Sequence, residues 1–391
     1  MVSDVDGAKI FGYRRTDGQF GIRNHMLVLG INGLAARAAE RIAANILGAT
    51  LAATHAGRGQ IEPDFSLHMN QLIGLAKNPN VGAVLVVGVD QMSADAVTAR
   101  ISQIGKPCDV VTFAETQEDM LALVDLGIRR AARLARLISD QPREQAPISE
   151  LIIGIECGHS DASSGVAGNL VVGAAVDRLA DLGATIILGE TIEWLGAEHL
   201  LAKRAKTPEL SEAIVAAVER REQWARSSGK SLTGNNPGEE NIRGGLSTIE
   251  EKSLGAIVKS GTRPIQSLVS VGEKPVGAGV HAMDGPSFSP ESLTGFAAAG
   301  AQIMLFTTGP GNSFTNAIAP TLKITAQPAT TARLREQIDF DAGDTFLGVE
   351  SIADAGSRLV ASLVEVCNGK LTWGEVLKEG LEVPTRILGS L

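Results

Sequence analysis

The sequence predicts an α/β protein made of parallel-sheet βαβ domains, Rossmann-like in style, packed together and carrying long active-site loops. Three observations support this. Apolar runs of strand length alternate with helical patterns of ten residues or more, the signature of a parallel sheet with crossover helices. Aromatic residues make up only 4% while glycine reaches 44 residues, so the core is drawn from Ala, Val, Ile and Leu, as suits sheets covered by helices. At 391 residues the chain exceeds one ordinary core, so more than one such domain is needed.

In chain order, residues 26–31 read as a strand, Asn32-Gly33 as a turn and 34–47 as an amphipathic helix. Residues 51–54 form a short strand ending at His55, 67–76 a helix, and Asn78-Pro79-Asn80 a turn. A β run at 81–87, a helix at 93–104, a strand at 109–113 and a long helical pattern at 116–138 complete an N-terminal α/β domain, 1–140. Residues 139–149 are polar with two prolines and read as a linker. A C-terminal α/β domain, 141–391, opens with a strand at 151–155, a loop, a helix at 170–182 and a strand ending at 188. Helices are expected at 196–205 and 208–227, then a long loop at 229–245, rich in Gly, Asn, Ser and Pro. A further sheet segment spans 300–306, the loop 307–312 and 321–325, and helices at 349–368 and near 373–379 close the chain.

Composition narrows the function classes. The net charge of −9 with no Lys/Arg cluster argues against a nucleic-acid or membrane surface. No apolar run approaches the ~20 residues that span a bilayer, and the first residues lack the basic and apolar regions of a secretory signal, so a cytoplasmic location is expected. Cys108, Cys157 and Cys367 are widely spaced, an odd number with no CxxC pair, which disfavours a disulfide framework or structural zinc. The six histidines form no HExxH-type pair, so a metal site has to be assembled from distant segments.

Chemistry in α/β proteins gathers at the carboxyl ends of the strands. The richest such loop is 156–169, Glu-Cys-Gly-His-Ser-Asp-Ala-Ser-Ser-Gly-Val-Ala-Gly-Asn. It concentrates a thiol, an imidazole, two carboxylates and three hydroxyls, a mixture that packing alone does not call for. In Gly189-Glu190-Thr191-Ile192-Glu193, two carboxylates follow a strand; Glu190 is a candidate metal ligand or base, or both cap the next helix. Thr307, Thr308, Gly309 and Gly311 belong to a loop that is either an anion cradle of backbone N–H groups or a plain tight turn. Lys323 either reaches an anion or is solvated. Arg23 and Asn24 are a candidate carboxylate fork, or part of a hairpin over a sheet edge. His55 and Arg58 sit in a glycine-bordered loop. Residues 29–33 lack the full dinucleotide fingerprint, which disfavours a nicotinamide cofactor.

Taken together, GYRRTDGQFGIRN (12–24), NPNVGAVLVV (78–87), CGHSDASSG (157–165), LGETIEWLGAE (188–198), GGLSTIEEKSLG (244–255), FTTGPG (306–311) and DFDAG (339–343) resemble the large domain of the altronate/galactarate dehydratase family, over about residues 10–380. The resemblance implies a lyase that eliminates a group from a 2-hydroxy (sugar) acid to give a 2-keto acid, foremost a hydro-lyase large subunit. The same family includes the large subunit of (2R)-sulfolactate sulfo-lyase, which releases sulfite. A degenerate subunit that binds an acid without turning it over is the third reading. The resemblance also implies a divalent metal, iron(II) first with Mg2+ or Mn2+ as alternatives, a separately encoded small SAF-like subunit, and a homo-oligomer.

Three departures from the family pattern stand out. Where its dehydratases carry Gly-Cys-Gly and Gly-Cys-Glu, this chain has Gly57-Arg58-Gly59 and Val89-Asp90-Gln91, and Pro310 replaces an expected arginine. With those thiols gone, the candidate metal ligands are Cys157, His159 and Glu190. The candidate catalytic groups are His159, Asp161, Glu190 and His55, and Ser160, Arg23, Asn24, Arg58, the 307–311 loop and Lys323 would hold substrate.

Overall fold

The alternation of strands and helices folds into two separate parallel sheets joined by a small antiparallel one. The computed structural model describes residues 9–57, 59–229 and 236–387. The first parallel sheet has the order β4-β3-β5-β6, with β3 at His25–Gly30, β4 at Ala49–Ala53, β5 at Val81–Gly88 and β6 at Cys108–Thr112. The second has seven strands, all parallel, in the order β10-β11-β9-β8-β12-β13-β14. These are β8 (Ile152–Cys157), β9 (Thr185–Leu188), β10 (Ile265–Ser270), β11 (Gly279–Asp284), β12 (Ile303–Thr307), β13 (Thr321–Thr325) and β14 (Phe340–Asp341). Every residue of β5, β8, β12 and β13 is buried, as strands covered on both faces require.

The segment read as a linker is a structural element in part. Glu144–Pro147 forms β7, which pairs antiparallel with β1 (Lys9–Arg14), and β1 pairs in turn with β2 (Phe20–Gly21). The N-terminal motif is therefore the hairpin alternative. Strands β10, β11 and β14 went unpredicted because IQSLVS and GVHAMD interrupt their apolar residues with polar ones, and β14 has two residues. Parallel pairing supplies what local pattern does not. Helices Ile249–Ile257 and Ser289–Ala298 were also unpredicted, and the described part of the 229–245 loop contains the short helix Glu239–Arg243. The helix expected from 116 begins at Met120, where the Asp119 side chain caps the free N–H groups of Leu121 and Ala122.

The two parallel sheets share one apolar cluster, in which Leu27 and Val84 of the first join Ile187, Met304 and Phe306 of the second. Helices Asp64–Lys77 and Ser289–Ala298 pack in that cluster. Buried Asn78 and Asn80 fasten the joint: Asn78 Nδ2 donates to the carbonyls of Ala297 and Ala301, both at 2.8 Å, and Asn80 Nδ2 to those of Gln302 at 2.8 Å and Ile318 at 3.0 Å. Satisfying both donors makes these buried amides stabilising rather than costly. No helix among the described residues is long and apolar enough to cross a membrane.

Candidate active site

Parallel register places β8 beside β12, with Thr307 opposite Cys157, so the loops that follow both strands emerge together at the carboxyl edge. They meet around Asp161. Its carboxylate accepts from Ser163 Oγ at 2.6 Å and from the Ser164 N–H at 3.2 Å. A Cβ on Gly309 would lie 2.2 Å from Asp161 Cγ, and one on Gly244 2.7 Å from Asp161 Cβ; glycine is what lets three loops close on one carboxylate. After them, Ser164–Gly168 forms a single π-helical turn ahead of the helix Asn169–Asp181, an irregularity frequent at functional sites.

A pocket of about 310 Å³ opens here, bordered by Ser160, Asp161, Asn169 and Lys252 among others. The volume suits a small organic acid. Ser160 Oγ is buried without a hydrogen-bond partner among the described residues, while its carbonyl accepts from Asn241 Nδ2 at 2.9 Å. Asn169 is fixed by Thr307, whose hydroxyl donates to Oδ1 at 2.6 Å, and by the Gly255 carbonyl at 2.7 Å.

Beneath the pocket lies a buried ionic cluster. Lys252 and Lys259 stand seven residues apart, on helix Ile249–Ile257 and the 3-10 turn Val258–Ser260 that continues it, so they share one face. Lys252 Nζ bonds Glu193 Oε1 at 2.9 Å. Lys259 Nζ contacts Glu156 Oε1 at 2.6 Å, Cys157 Sγ at 3.1 Å and Glu193 Oε2 at 3.3 Å. Cys157 Sγ donates to Glu193 Oε2 at 3.3 Å, and Ser292 Oγ to Glu156 Oε2 at 2.9 Å.

The two ammonium groups decide the charges. Burial pushes the Glu193 carboxyl upward, but Lys252 and Lys259 outweigh it and hold it at about 2. Glu190 has no ammonium bonded to it: burial, then the like charges of Glu193 and Glu156, push it well above the usual carboxylate range. Its surroundings thus favour the protonated form, and its Oε1 has no partner among the described residues, on a left-handed backbone at φ 57°. Burial and the neighbouring carboxylates push the Cys157 thiol up to about 12.

The structure brings some of the expected residues together and separates others. Cys157, Ser160, Asp161, Glu190 and Thr307 converge at this edge. The donor group with metal-ligand spacing is Glu156, Cys157 and Glu193, whose ligand atoms lie within 4.8 Å of one another; it shares only Cys157 with the expected set. That spacing could hold a metal ion, but Lys259 Nζ already stands bonded to all three donor atoms, so the donors as arranged do not fit a second cation. His159, at φ 56°, turns away and bonds the Gly311 carbonyl through Nδ1 at 3.1 Å.

The 307–311 loop is the tight-turn alternative. The N–H groups of Thr308, Gly309 and Gly311 are already bonded, to the Ile324 carbonyl, the His159 carbonyl and Thr308 Oγ1, which leaves no cradle for an anion. Arg23 and Asn24 precede β3 at the amino edge of the first sheet; Arg23 is spent on Glu375 at 2.7 Å and on carbonyls, and Asn24 on Arg15 and Ile138. Lys323 is buried against the Ser313 carbonyl at 3.1 Å and Glu379 at 3.5 Å. His55 is exposed past β4, at the edge of the other sheet. Arg58 lies outside the described residues.

Lys252, Lys259, Glu193 and Asn169 were not anticipated as site residues. Charges on a helix normally read as a solvated face, and the available signal was the seven-residue spacing of the lysines beside the small residues Ser253, Gly255 and Ala256.

Comparison with known proteins finds matches along nearly the whole chain. Two family models match, "D-galactarate/Altronate dehydratase, C-terminal" over residues 148–388 and "D-galactarate dehydratase/Altronate hydrolase, second domain" over residues 12–139. A (2R)-sulfolactate sulfo-lyase subunit beta of Chromohalobacter salexigens is 37% identical over 99% of this chain and 100% of its own length. The altronate dehydratase of Escherichia coli is 29% identical over 93% of this chain and 74% of its own. The galactarate dehydratase (L-threo-forming) of the same organism is 30% identical over 76% and 58%.

Proposed function

Because the chain belongs to the D-galactarate/altronate dehydratase family and is a lyase, we propose that it eliminates a C3 substituent from a 2-hydroxy acid to give a 2-keto acid at the Ser160–Asp161–Asn169–Lys252 pocket. The observation that carries this is Lys252. Lys252 borders the pocket, and its ammonium is anchored on Glu193 at 2.9 Å and on Asn236 Oδ1, so its positive charge is held in place beside a substrate carboxylate that gains charge.

Removing the C2 proton turns the carboxylate into an enediolate, and pre-oriented positive charge stabilises that state more than the ground state. Asp161, held by two serines on the pocket wall, is the proposed base. Ser160 Oγ, which has no partner among the described residues, is the proposed donor to the 2-hydroxyl. Loss of the C3 substituent then gives an enol, which tautomerises to the keto acid.

Between water and sulfite as the departing group, two observations favour sulfite. The match to the sulfo-lyase subunit runs the full length of both chains. The residues bordering the pocket also include no imidazole, and sulfite leaves without the proton that hydroxide requires. The dehydratase reading stands second. We further propose two domains, 1–140 and 141–391, with the chemistry in the second, a cytoplasmic location, and a small partner subunit, motivated by the "subunit beta" of the relative's name.

The test is turnover of sulfolactate, altronate and galactarate by the purified chain, alone and with a small subunit encoded beside it. Sulfite with pyruvate supports the first reading, and keto acid from a sugar acid supports the second. Turnover by a Lys252→Met variant at the wild-type rate would remove the proposed site.

A further inference from the structure

We infer that the Glu156–Cys157–Glu193 cluster is a cation site whose resident cation is the Lys259 ammonium, so the native chain takes no divalent metal there and loss of that one amine opens the site to a metal. The sulfur and the two carboxylate oxygens lie within 4.8 Å of one another, and Cys157 Sγ and Glu193 Oε2 are already 3.3 Å apart, near the separation that an ion bonded to both at ~2.0–2.3 Å requires. Lys259 Nζ sits 2.6, 3.1 and 3.3 Å from those same three atoms. A metal bonded to all three would overlap the ammonium.

Nor is the lysine free to swing aside. Its side chain is 1% exposed, so leaving its three partners would strand a charge in buried surroundings. Lys252 already adds a second positive charge 2.9 Å from Glu193. A divalent ion would thus meet two ammonium groups in a low-dielectric interior, where like charges repel strongly. Remove the Lys259 amine and the balance reverses: two buried carboxylates and a thiol then face an unfilled space, with one ammonium between them and neutrality. A carboxylate–thiolate set of that spacing suits Zn2+ or Co2+.

Cobalt(II) is the probe, because a Cys–Co2+ bond has a charge-transfer absorption that carboxylate binding at the surface lacks. Wild type, Cys157→Ser and Lys259→Ala are titrated with Co2+, with metal content measured after gel filtration and folding checked by circular dichroism. The wild type is expected to show no thiolate–cobalt band. Lys259→Ala is expected to retain a stoichiometric amount with the band, and to lose the band when Cys157→Ser is added. Should Lys259→Ala not fold, Lys259→Ser keeps a small hydroxyl toward the buried acids with all three donors in place, and carries the same expectation. A Cys157-dependent band in the wild type, or a folded Lys259 variant that takes up no cobalt, overturns the inference. Neither readout depends on turnover, so the result is separate from the fate of the proposed reaction.

Discussion

At the level of single residues, the two lysines divide the work that the candidate site requires. Lys259 neutralises buried acids and is sealed in, whereas Lys252 touches both the cluster and the pocket. Replacing Lys252 with methionine keeps most of the side-chain volume and leaves Glu193 its second partner, Lys259 at 3.3 Å. The fold should therefore persist while the charge facing the substrate carboxylate disappears. Loss of one such electrostatic group costs about 10²–10³ in rate. Lys252→Met is accordingly expected to lower kcat/KM by about that factor with its circular dichroism spectrum unchanged, and Lys252→Arg to recover part of the loss. Steady-state kinetics on the substrate identified in the turnover panel check both.

Among elements, the outcome depends on how closely loops and helices approach. Gly309 is the tightest point between the loops after β8 and β12, since a methyl group there would lie 2.2–2.5 Å from the Asp161 carboxylate. Gly309→Ala should push that carboxylate off its position, and a misplacement of about 1 Å costs roughly 10²-fold in activity. Kinetics on the folded variant measure it. Gly74 plays the equivalent structural part where helix Asp64–Lys77 crosses helix Ser289–Ala298: a Cβ would stand 2.4 Å from the Ala298 carbonyl oxygen. Far from the pocket, Gly74→Ala should cost about 1–3 kcal/mol by overpacking, read from urea denaturation, with kcat unchanged.

This scale also explains what could be read in advance. Strands such as Val81–Gly88 and Thr321–Thr325 were legible because strands buried on both faces are continuous apolar runs. The 156–169 loop stood out as a candidate site because packing alone does not call for its mixture of thiol, imidazole, carboxylates and hydroxyls. What was hidden depended on partners distant in the chain. Glu193 became an ionised ligand of two lysines some sixty residues away, and Arg23, which looks like a carboxylate fork, is consumed by Glu375. Sequence lists the donors in a segment but not which acceptors long-range folding will bring to them.

For the molecule as a whole, the joint between the two parallel sheets is also tied by the C-terminal tail, and one buried acid there makes stability depend on pH. Glu382 accepts from Asn316 Nδ2 at 2.9 Å and the Ala317 N–H at 3.1 Å, on the connection between β12 and β13. A few residues on, Thr385 exchanges hydrogen bonds with Gln71 and the Ile387 N–H reaches Asp64, both on helix Asp64–Lys77 of the first sheet. Burial pushes the Glu382 carboxyl from 4.5 to about 8, although the surrounding donors favour its ionised form. The folded state therefore keeps a proton that the unfolded chain releases above about pH 4.5. Stability should fall as pH rises from about 4.5 to 8 and level off beyond it, by an amount approaching 5 kcal/mol at ~1.4 kcal/mol per pH unit. Glu382→Gln removes the titration while keeping a carbonyl oxygen for one donor. The variant should match wild type near pH 5, exceed it at pH 8, and show a flatter profile between them in urea midpoints. Parallel profiles for the two proteins would mean that the Glu382 carboxyl ionises at little cost in the folded state, and that its burial does not set the pH dependence.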